Sequence, residues 1–563
     1  MKIERIDLKK MLGKVPKSIW LLLLIMVVGI FLRTYHFRDW LYFYPDQARD
    51  VMIVGDYLHG KIPLPLMGFR AASTFFDLGA MYYYFQIISG KMFGVAPNTI
   101  AYPDLFFNIL AIPLFYYFLK RFFKTDIALV LTAIYAVSYY AIEFSRFAWN
   151  PNPMPFFVLL FLLSLWKFLS EKEKTRWGWI VGIGVAVGVG IQLHTILIFL
   201  LTSVTIVALF ISMKSNWRLW NRWLVILAVA LLLNTNQIIS EINHDFSNTN
   251  KLITLSTGSA ESTGTIGKWN NMAQEAVCFA QANAHIIFSL GNKVDCDYWM
   301  TAASMYEQRA LGISGNTEII IWIAAGFIFS LFGYGLTIYF YRKEKDPKKK
   351  TFLGLICLYI GLSFIIIYPV ISELHLRYFL QLFFVPYLFL GFILELIRRK
   401  YSKMFVPVTF AALALIVGFN LNTLFAEAKL FATNNHSQSQ YVVLGELEHM
   451  RDYIISQTKA NNTVYMIADG KYIQNYYKPL LYVLGQKNVT LLRELKDNSA
   501  IPPNVPIFCV GKWSYIIPEP NTQGFPVKEF KNFGEIGIYI LDNQKSSQTD
   551  YPAPNNANIG KSN

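Results

Sequence analysis

Apolar runs long enough to cross a bilayer recur along most of this chain and end at about residue 424. A spanning helix needs roughly 17–25 largely apolar residues. That requirement predicts spans near 18–32, 103–119, 127–144, 154–170, 178–193, 196–213, 223–239, 317–340, 352–370, 378–396 and 404–424, about eleven in all. No small-residue cleavage site follows the first run, so it reads as an anchor and not as a removed leader. One more apolar stretch, 75–93, is interrupted by Gln86, Ser89, Gly90 and Lys91 and crowded with Tyr82, Tyr83 and Tyr84. Tyrosine favours the membrane–water interface, so this stretch is expected to lie along the surface. Beyond Ala426 the pattern changes. Leu444–Ser456 has the polarity of an amphipathic helix, and Thr463–Ile467, Val489–Leu492 and Ile507–Val510 read as short strands. A small α/β domain over 426–543 is expected, followed by a polar tail, 544–563, expected to be disordered.

Composition agrees with a polytopic α-helical membrane protein. Of 563 residues, 54% are hydrophobic and only 15% charged, against about 25% charged in soluble proteins. The formal charge of +15 does not point to nucleic acid, because the basic residues form no stripe or Arg-rich arm. They fall in short clusters between spans: before Ser18, at 120–124, 172–176, 214–222, 342–350 and 398–403. Such clusters mark cytoplasmic loops, so neighbouring clusters enclose even numbers of crossings. This parity allows one crossing between Phe37 and Lys120 and leaves 36–101 as a large external loop with interfacial helices. It also makes 145–153, 192–195, 240–316 and 371–377 external connections. The expected setting is the plasma (inner) membrane, with a cytoplasmic N-terminus and an extracytoplasmic C-terminal domain. Transmembrane residues 1–425 form the first domain in this scheme. Cys278 and Cys296 share the 240–316 loop in what would be an oxidising compartment, which makes them a candidate disulfide. No cysteine or histidine spacing suggests a zinc site.

Polar residues concentrate in the connections assigned to one face. The first loop supplies Asp46, Gln47, Arg49, Asp50, Asp56, Arg70 and Asp77. Residues 145–153 read Ser-Arg-Phe-Ala-Trp-Asn-Pro-Asn-Pro, in which the prolines hold the preceding residues extended and so stiffen a loop carrying Arg146, Asn150 and Asn152. His194 lies in the next connection, and Glu373, His375, Arg377 and Tyr378 in the last. Each has a plain alternative. Asp46 suits the start of a helix, Arg146 and Arg377 suit lipid anchoring, and His194 suits a hydrogen-bonded helix end.

Asp46 soon after the first span, an aromatic segment entering the second, and Ser145-Arg-Phe-Ala-Trp-Asn-Pro-Asn-Pro153 after the third together resemble the GT-C superfamily of polytopic glycosyltransferases. The protein O-mannosyltransferase and lipid A aminoarabinose transferase branches are the nearest in pattern. The resemblance is strongest over 1–200 and extends as topology to about 424. It implies a polyprenyl phosphate-linked sugar donor, used with inversion on the non-cytoplasmic face, and it makes Asp46 the general base. The family often has an acid where this chain has Asn150 or Asn152. A neutral amide beside a single Asp is a poor divalent-cation ligand, so no metal or other cofactor is expected, although a divalent cation is not excluded.

The residue chemistry is compatible. A carboxylate can take the proton of an acceptor hydroxyl in the transition state. The planar fork of arginine matches a departing phosphate, with Arg146, Arg377 and Arg70 as candidates and Tyr378 as an added donor. The amides of Asn150, Asn152 and Gln47 both donate and accept and suit sugar hydroxyls, as do His194, Asp77 and His375. The acceptor class (glycan, protein or lipid) stays open. A lipid-linked substrate transporter or flippase is the alternative from another class, because Asp104 and Asn108 put polar groups inside the second span. A membrane-tethered scaffold is a third.

Overall fold

The computed structural model describes residues 16–71, 76–256, 268–289, 313–368, 376–433, 442–457, 462–468, 470–493, 505–512, 522 and 524–543. The chain forms two compact units. One comprises residues 1–37 and 53–426; the other comprises 38–52 and 427–563. The tail at 544–563, His375 and Cys296 lie outside the described residues.

The first unit is a helical bundle of a multi-pass membrane protein. Among the described residues seven helices are long and apolar enough to span. Two bent pairs, Trp217–Leu233 with Thr235–Asn243 and Leu376–Leu382 with Val385–Lys400, raise that number to nine. The other two expected spans, 127–144 and 178–193, are the shorter apolar helices Thr125–Val137 and Trp177–Leu193. In chain order, helix α1 is Lys17–Thr34, α2 Pro45–Leu58, α3 Met81–Phe93, α4 Tyr102–Leu119, α5 Thr125–Val137, α6 Met154–Glu171, α7 Trp177–Leu193, α8 Thr195–Ser215 and α9 Trp220–Leu233. Two short strands, β1 (Met67–Arg70) and β2 (Asp77–Gly79), pair antiparallel ahead of α3. The interrupted stretch at 75–93 thus becomes a hairpin strand and a helix of 13 residues, too short to cross a bilayer.

Small residues let α7 approach its neighbours closely. A Cβ at Gly184 would lie 2.7 Å from Val229 Cβ, and one at Gly188 would lie 3.0 Å from Ala230 Cα. Glycines four apart make such a seam in lipid, where packing replaces the hydrophobic effect as the drive for helix association. Gly188→Leu is therefore expected to cost about 1–3 kcal/mol through overpacking. The check is a lowered thermal midpoint in detergent, and an unchanged midpoint would refute tight packing of α7 on α9. The seam matters because the end of α7 carries Gln192. Its Nε2 donates to Gly188 O at 2.8 Å and Leu233 O at 3.0 Å, and its Oε1 accepts from Met81 N at 3.2 Å. One amide so ties α3, α7 and α9 together.

Residues 268–288, expected inside a large loop, form a helix. This helix, α10 (Lys268–Phe288), packs on α11 (Ile313–Lys343). Asn283 Nδ2 donates to Ser330 Oγ at 3.0 Å, and the Phe279 ring stacks on Phe364 with centroids 3.9 Å apart. Its polar side chains hid it from a hydropathy reading. Glu275 is 6% exposed, with Oε1 lacking a partner among the described residues. Burial pushes its carboxyl up to about 7. A folded state that holds its proton more tightly than the unfolded chain loses stability as pH rises from the unfolded value, near 4.5, through 7. Glu275→Gln is expected to remove that slope and to stabilise the protein by about 1–3 kcal/mol above pH 7. Melting at pH 5, 6 and 7.5 tests it; parallel curves for the two proteins would count against it.

The second unit contains a five-stranded sheet in the order β4-β3-β5-β7-β6. The strands are β3 Thr463–Ala468, β4 Thr490–Arg493, β5 Ile507–Lys512, β6 Val527–Phe533 and β7 Ile536–Leu541. Strands β3, β4 and β5 are parallel, and β7 joins β5 antiparallel. The continuous buried runs of β3 and β7 form a core with Phe525 and Cys509. Helices α12 (Leu444–Gln457) and α13 (Gly470–Gly485) accompany the sheet.

Candidate functional site

In the first unit, five side chains from three connections lie close together. Asn150 Nδ2 donates to Leu193 O, the last carbonyl of α7. This bond pins the 145–153 loop against the α7–α8 break, where His194 caps α8 by accepting from Ile196 N at 3.2 Å. The Tyr378 ring meets His194 edge-on, with centroids 5.0 Å apart. The Arg377 guanidinium lies 5.2 Å from the Trp149 ring centroid and 5.1 Å from that of Tyr378. Arg377 is half-buried and makes no hydrogen bond or ion pair with a described residue. Desolvation first, and the nearby Arg377 charge second, push the His194 imidazole down to about 3. With Nδ1 used as an acceptor, this neutral ring carries its proton on Nε2. The arrangement offers a cation with its fork unspent and a neutral N–H donor beside two aromatic faces.

Other candidates are engaged elsewhere. Arg146 donates to Leu32 O at 3.1 Å, Arg33 O at 3.3 Å and Tyr35 O at 2.7 Å, so its guanidinium caps the C-terminal carbonyls of α1. Asn152 is fully buried, and its Nδ2 donates to Phe147 O at 2.6 Å. Both asparagines thus use an amide N–H to hold backbone. Arg70 reaches Asp77 at 3.5 Å across the β1–β2 hairpin, and Asn248 clasps the Asp77 backbone from both sides, at 2.7 and 2.9 Å. Asp104 accepts from Tyr82 OH at 2.8 Å. Asn108 donates to Asp104 O at 2.9 Å and Asn152 O at 3.0 Å. These polar groups of α4 bind its neighbours together, which accounts for them without a transport path.

Arg33 gave no signal in the sequence. It is fully buried, donates through Nη1 to Gly29 O at 3.0 Å and Ala136 O at 2.7 Å, and lies 5.9 Å from the Tyr135 ring centroid. It ties α1 to α5.

Asp46 belongs to the second unit. It lies in the first turn of α2, where a carboxylate complements the helix dipole. Its side chain is 52% exposed and meets Arg49 Nη1 at 2.9 Å. Arg49 also donates from Nη2 to Asp50 at 2.8 Å. Asp50 is 3% exposed, so the buried partner of Arg49 is Asp50, and Asp46 is the accessible carboxylate. Gln47 is buried, and its Oε1 accepts from Tyr44 N at 2.9 Å. Among the described residues no group of three His, Cys, Asp or Glu is arranged to hold a metal. Cys278 is buried on α10.

Residues 77–239 match the family described as dolichyl-phosphate-mannose-protein mannosyltransferase. No curated protein matches the chain by sequence. Among solved structures, ArnT from Cupriavidus metallidurans bound to undecaprenyl phosphate aligns over 94% of this chain and 98% of its own, with a TM-score of 0.52 and 11% identity. The chain has an ArnT-like fold. Weaker likenesses are to the Archaeoglobus fulgidus oligosaccharyltransferase (TM-score 0.47, 12% identity, 89% of this chain and 70% of that one) and to the S. cerevisiae Pmt1-Pmt2 complex (TM-score 0.32, 14% identity, 42% and 34%). The family match runs from β2 through α9 to residue 239 and includes Trp149, Asn150, Asn152 and His194, whereas Asp46 and Arg377 lie outside it.

Proposed function

We propose that this chain is an inverting membrane glycosyltransferase that moves a sugar from a polyprenyl phosphate-linked donor to an acceptor hydroxyl on the non-cytoplasmic face of the inner membrane. The observation that carries the reading is Arg377. It is a half-buried guanidinium with no described ion-pair partner, near the faces of Trp149 and Tyr378, in a fold shared with a protein solved with undecaprenyl phosphate. In the reaction the acceptor oxygen attacks the anomeric carbon and the bond from that carbon to the phosphate oxygen breaks. Asp46 takes the acceptor proton. Arg377 holds the charge that grows on the leaving phosphate, and the Nε2–H of His194 is a neutral donor to sugar or phosphate. Arg146 and the Asn150 and Asn152 amides support this machinery by holding backbone. The N-terminus is cytoplasmic in this reading, and residues 427–543 are extracytoplasmic.

The test is incubation of the purified protein with a panel of polyprenyl phosphate sugars together with glycan, protein and lipid hydroxyl acceptors, scoring release of polyprenyl phosphate. One donor is expected to be consumed, with activity persisting in excess EDTA. Strict loss in EDTA would bring a divalent cation into the mechanism, and no release from any donor would refute the enzyme.

A further inference from the structure

The second unit is built from two pieces of chain far apart in sequence, and the shorter piece carries Asp46. Tyr42 forms an antiparallel bridge with Val443. Phe43 N donates to Val442 O at 3.2 Å, Leu444 N to Leu41 O at 2.8 Å, and Gly445 N to Asp39 O at 3.0 Å. A Cβ at Gly445 would lie 3.0 Å from Asp39 O, so the backbones meet where a side chain would intrude. Tyr42 OH donates to Glu427 at 2.6 Å. Arg38 grips Glu448 through both terminal nitrogens, at 3.1 and 2.8 Å, across 410 residues. Leu41 and Phe43 are fully buried, and the Phe43 ring lies 5.4 Å from that of Tyr482 on α13. Only Tyr44 separates anchored Phe43 from Pro45, where α2 begins. Ala48 N donates to Tyr44 O at 2.9 Å, so the anchored segment runs into the helix without a flexible joint.

We infer that the C-terminal unit is the mount of the catalytic segment: Phe43, Tyr42 and the Arg38–Glu448 pair are positioning residues that hold the first turn of α2, and with it Asp46, in working register. The inference rests on the proposed role of Asp46. It gives the C-terminal unit a function in catalysis itself, because a general base misplaced by about 1 Å loses up to 10²-fold in rate. The anchoring is mostly apolar and backbone. The Arg38 side chain is 52% exposed, and exposed pairs contribute little by themselves.

The hydrogen bonds flank the Tyr42–Val443 pair and do not join it, the geometry in which opposed Cα atoms sit about 4.5 Å apart and a disulfide fits. The test is the full-length double variant Tyr42→Cys/Val443→Cys, assayed oxidised and reduced with the consumed donor, alongside Phe43→Ala and Asp46→Asn. Reduction is expected to lower kcat about tenfold with donor KM unchanged, and oxidation to restore it to within about twofold of the parent. Phe43→Ala is expected to lower kcat at least as much. Equal kcat in the two redox states of the cross-linked variant, with Asp46→Asn inactive, would overturn the mount and leave the base in place. An active Asp46→Asn would overturn both.

Discussion

Asp46→Asn is expected to lower sugar transfer by roughly 10²–10⁴-fold, the usual worth of a positioned base, while the protein folds and enters the membrane as before. The substitution is nearly isosteric, and the new amide oxygen can still accept from Arg49 Nη1, which reaches Asp46 at 2.9 Å. Arg49 keeps its two bonds to Asp50, so the start of α2 has little reason to move. What is removed is the capacity to take a proton. Donor affinity should therefore be close to the parent value while single-turnover chemistry collapses. Asp50→Asn is the informative contrast: that carboxylate is buried under Arg49, and neutralising it removes the charge of a buried ion pair, so its main effect should be on stability. Parent-like turnover by Asp46→Asn, or a defect confined to its thermal midpoint, would remove Asp46 from the chemistry.

The bundle was legible because lipid imposes a strong and local rule: backbone polar groups must be satisfied within each span, so spans announce themselves as long apolar runs. The rule blurs where its premises fail. α10 carries Glu275, Gln281, Asn283 and His285 among its buried residues, and a helix satisfied by partners such as Ser330 has no need of high hydropathy. The hairpin β6–β7 escaped because Lys528, Glu529 and Lys531 make β6 look like a loop, although it is an edge strand with an exposed face, where lysine is common.

Candidate residue types were readable, but their partners were not. Nothing periodic relates Tyr42 to Val443 or Arg38 to Glu448, so the assignment of Asp46 to the C-terminal unit could not be read from spacing. Arg146 illustrates the same limit. A basic residue near a span end can face phosphate or cap a helix, and the three backbone carbonyls that Arg146 meets at 2.7–3.3 Å are contacts that no local sequence reveals.

Arg146 is committed to α1 and Arg70 faces Asp77; among the described candidate arginines Arg377 is therefore the one proposed to meet the leaving phosphate, and its replacement should have the second large effect. Arg377→Met is expected to reduce kcat/KM by about 10²–10³-fold, the range for removing a preorganised donor from developing charge. Arg377→Lys should fall between. Lysine keeps the charge but not the planar fork, and it cannot lay a flat guanidinium against Trp149 and Tyr378. If the guanidinium acts on the leaving group, the loss appears in the chemical step as well as in donor binding, and donors whose leaving phosphate is a weaker base should be less affected. The pH–rate profile supplies an independent check. His194 is held neutral down to about 3 by burial and the Arg377 charge, so the parent enzyme should show no limb from this histidine between pH 5 and 8. Removing the Arg377 charge relieves only the smaller cause of that shift, so the histidine should stay neutral in the Met variant as well. A parent-like kcat and donor KM for Arg377→Met would exclude this arginine from the site, and the phosphate would then have to be held by another group.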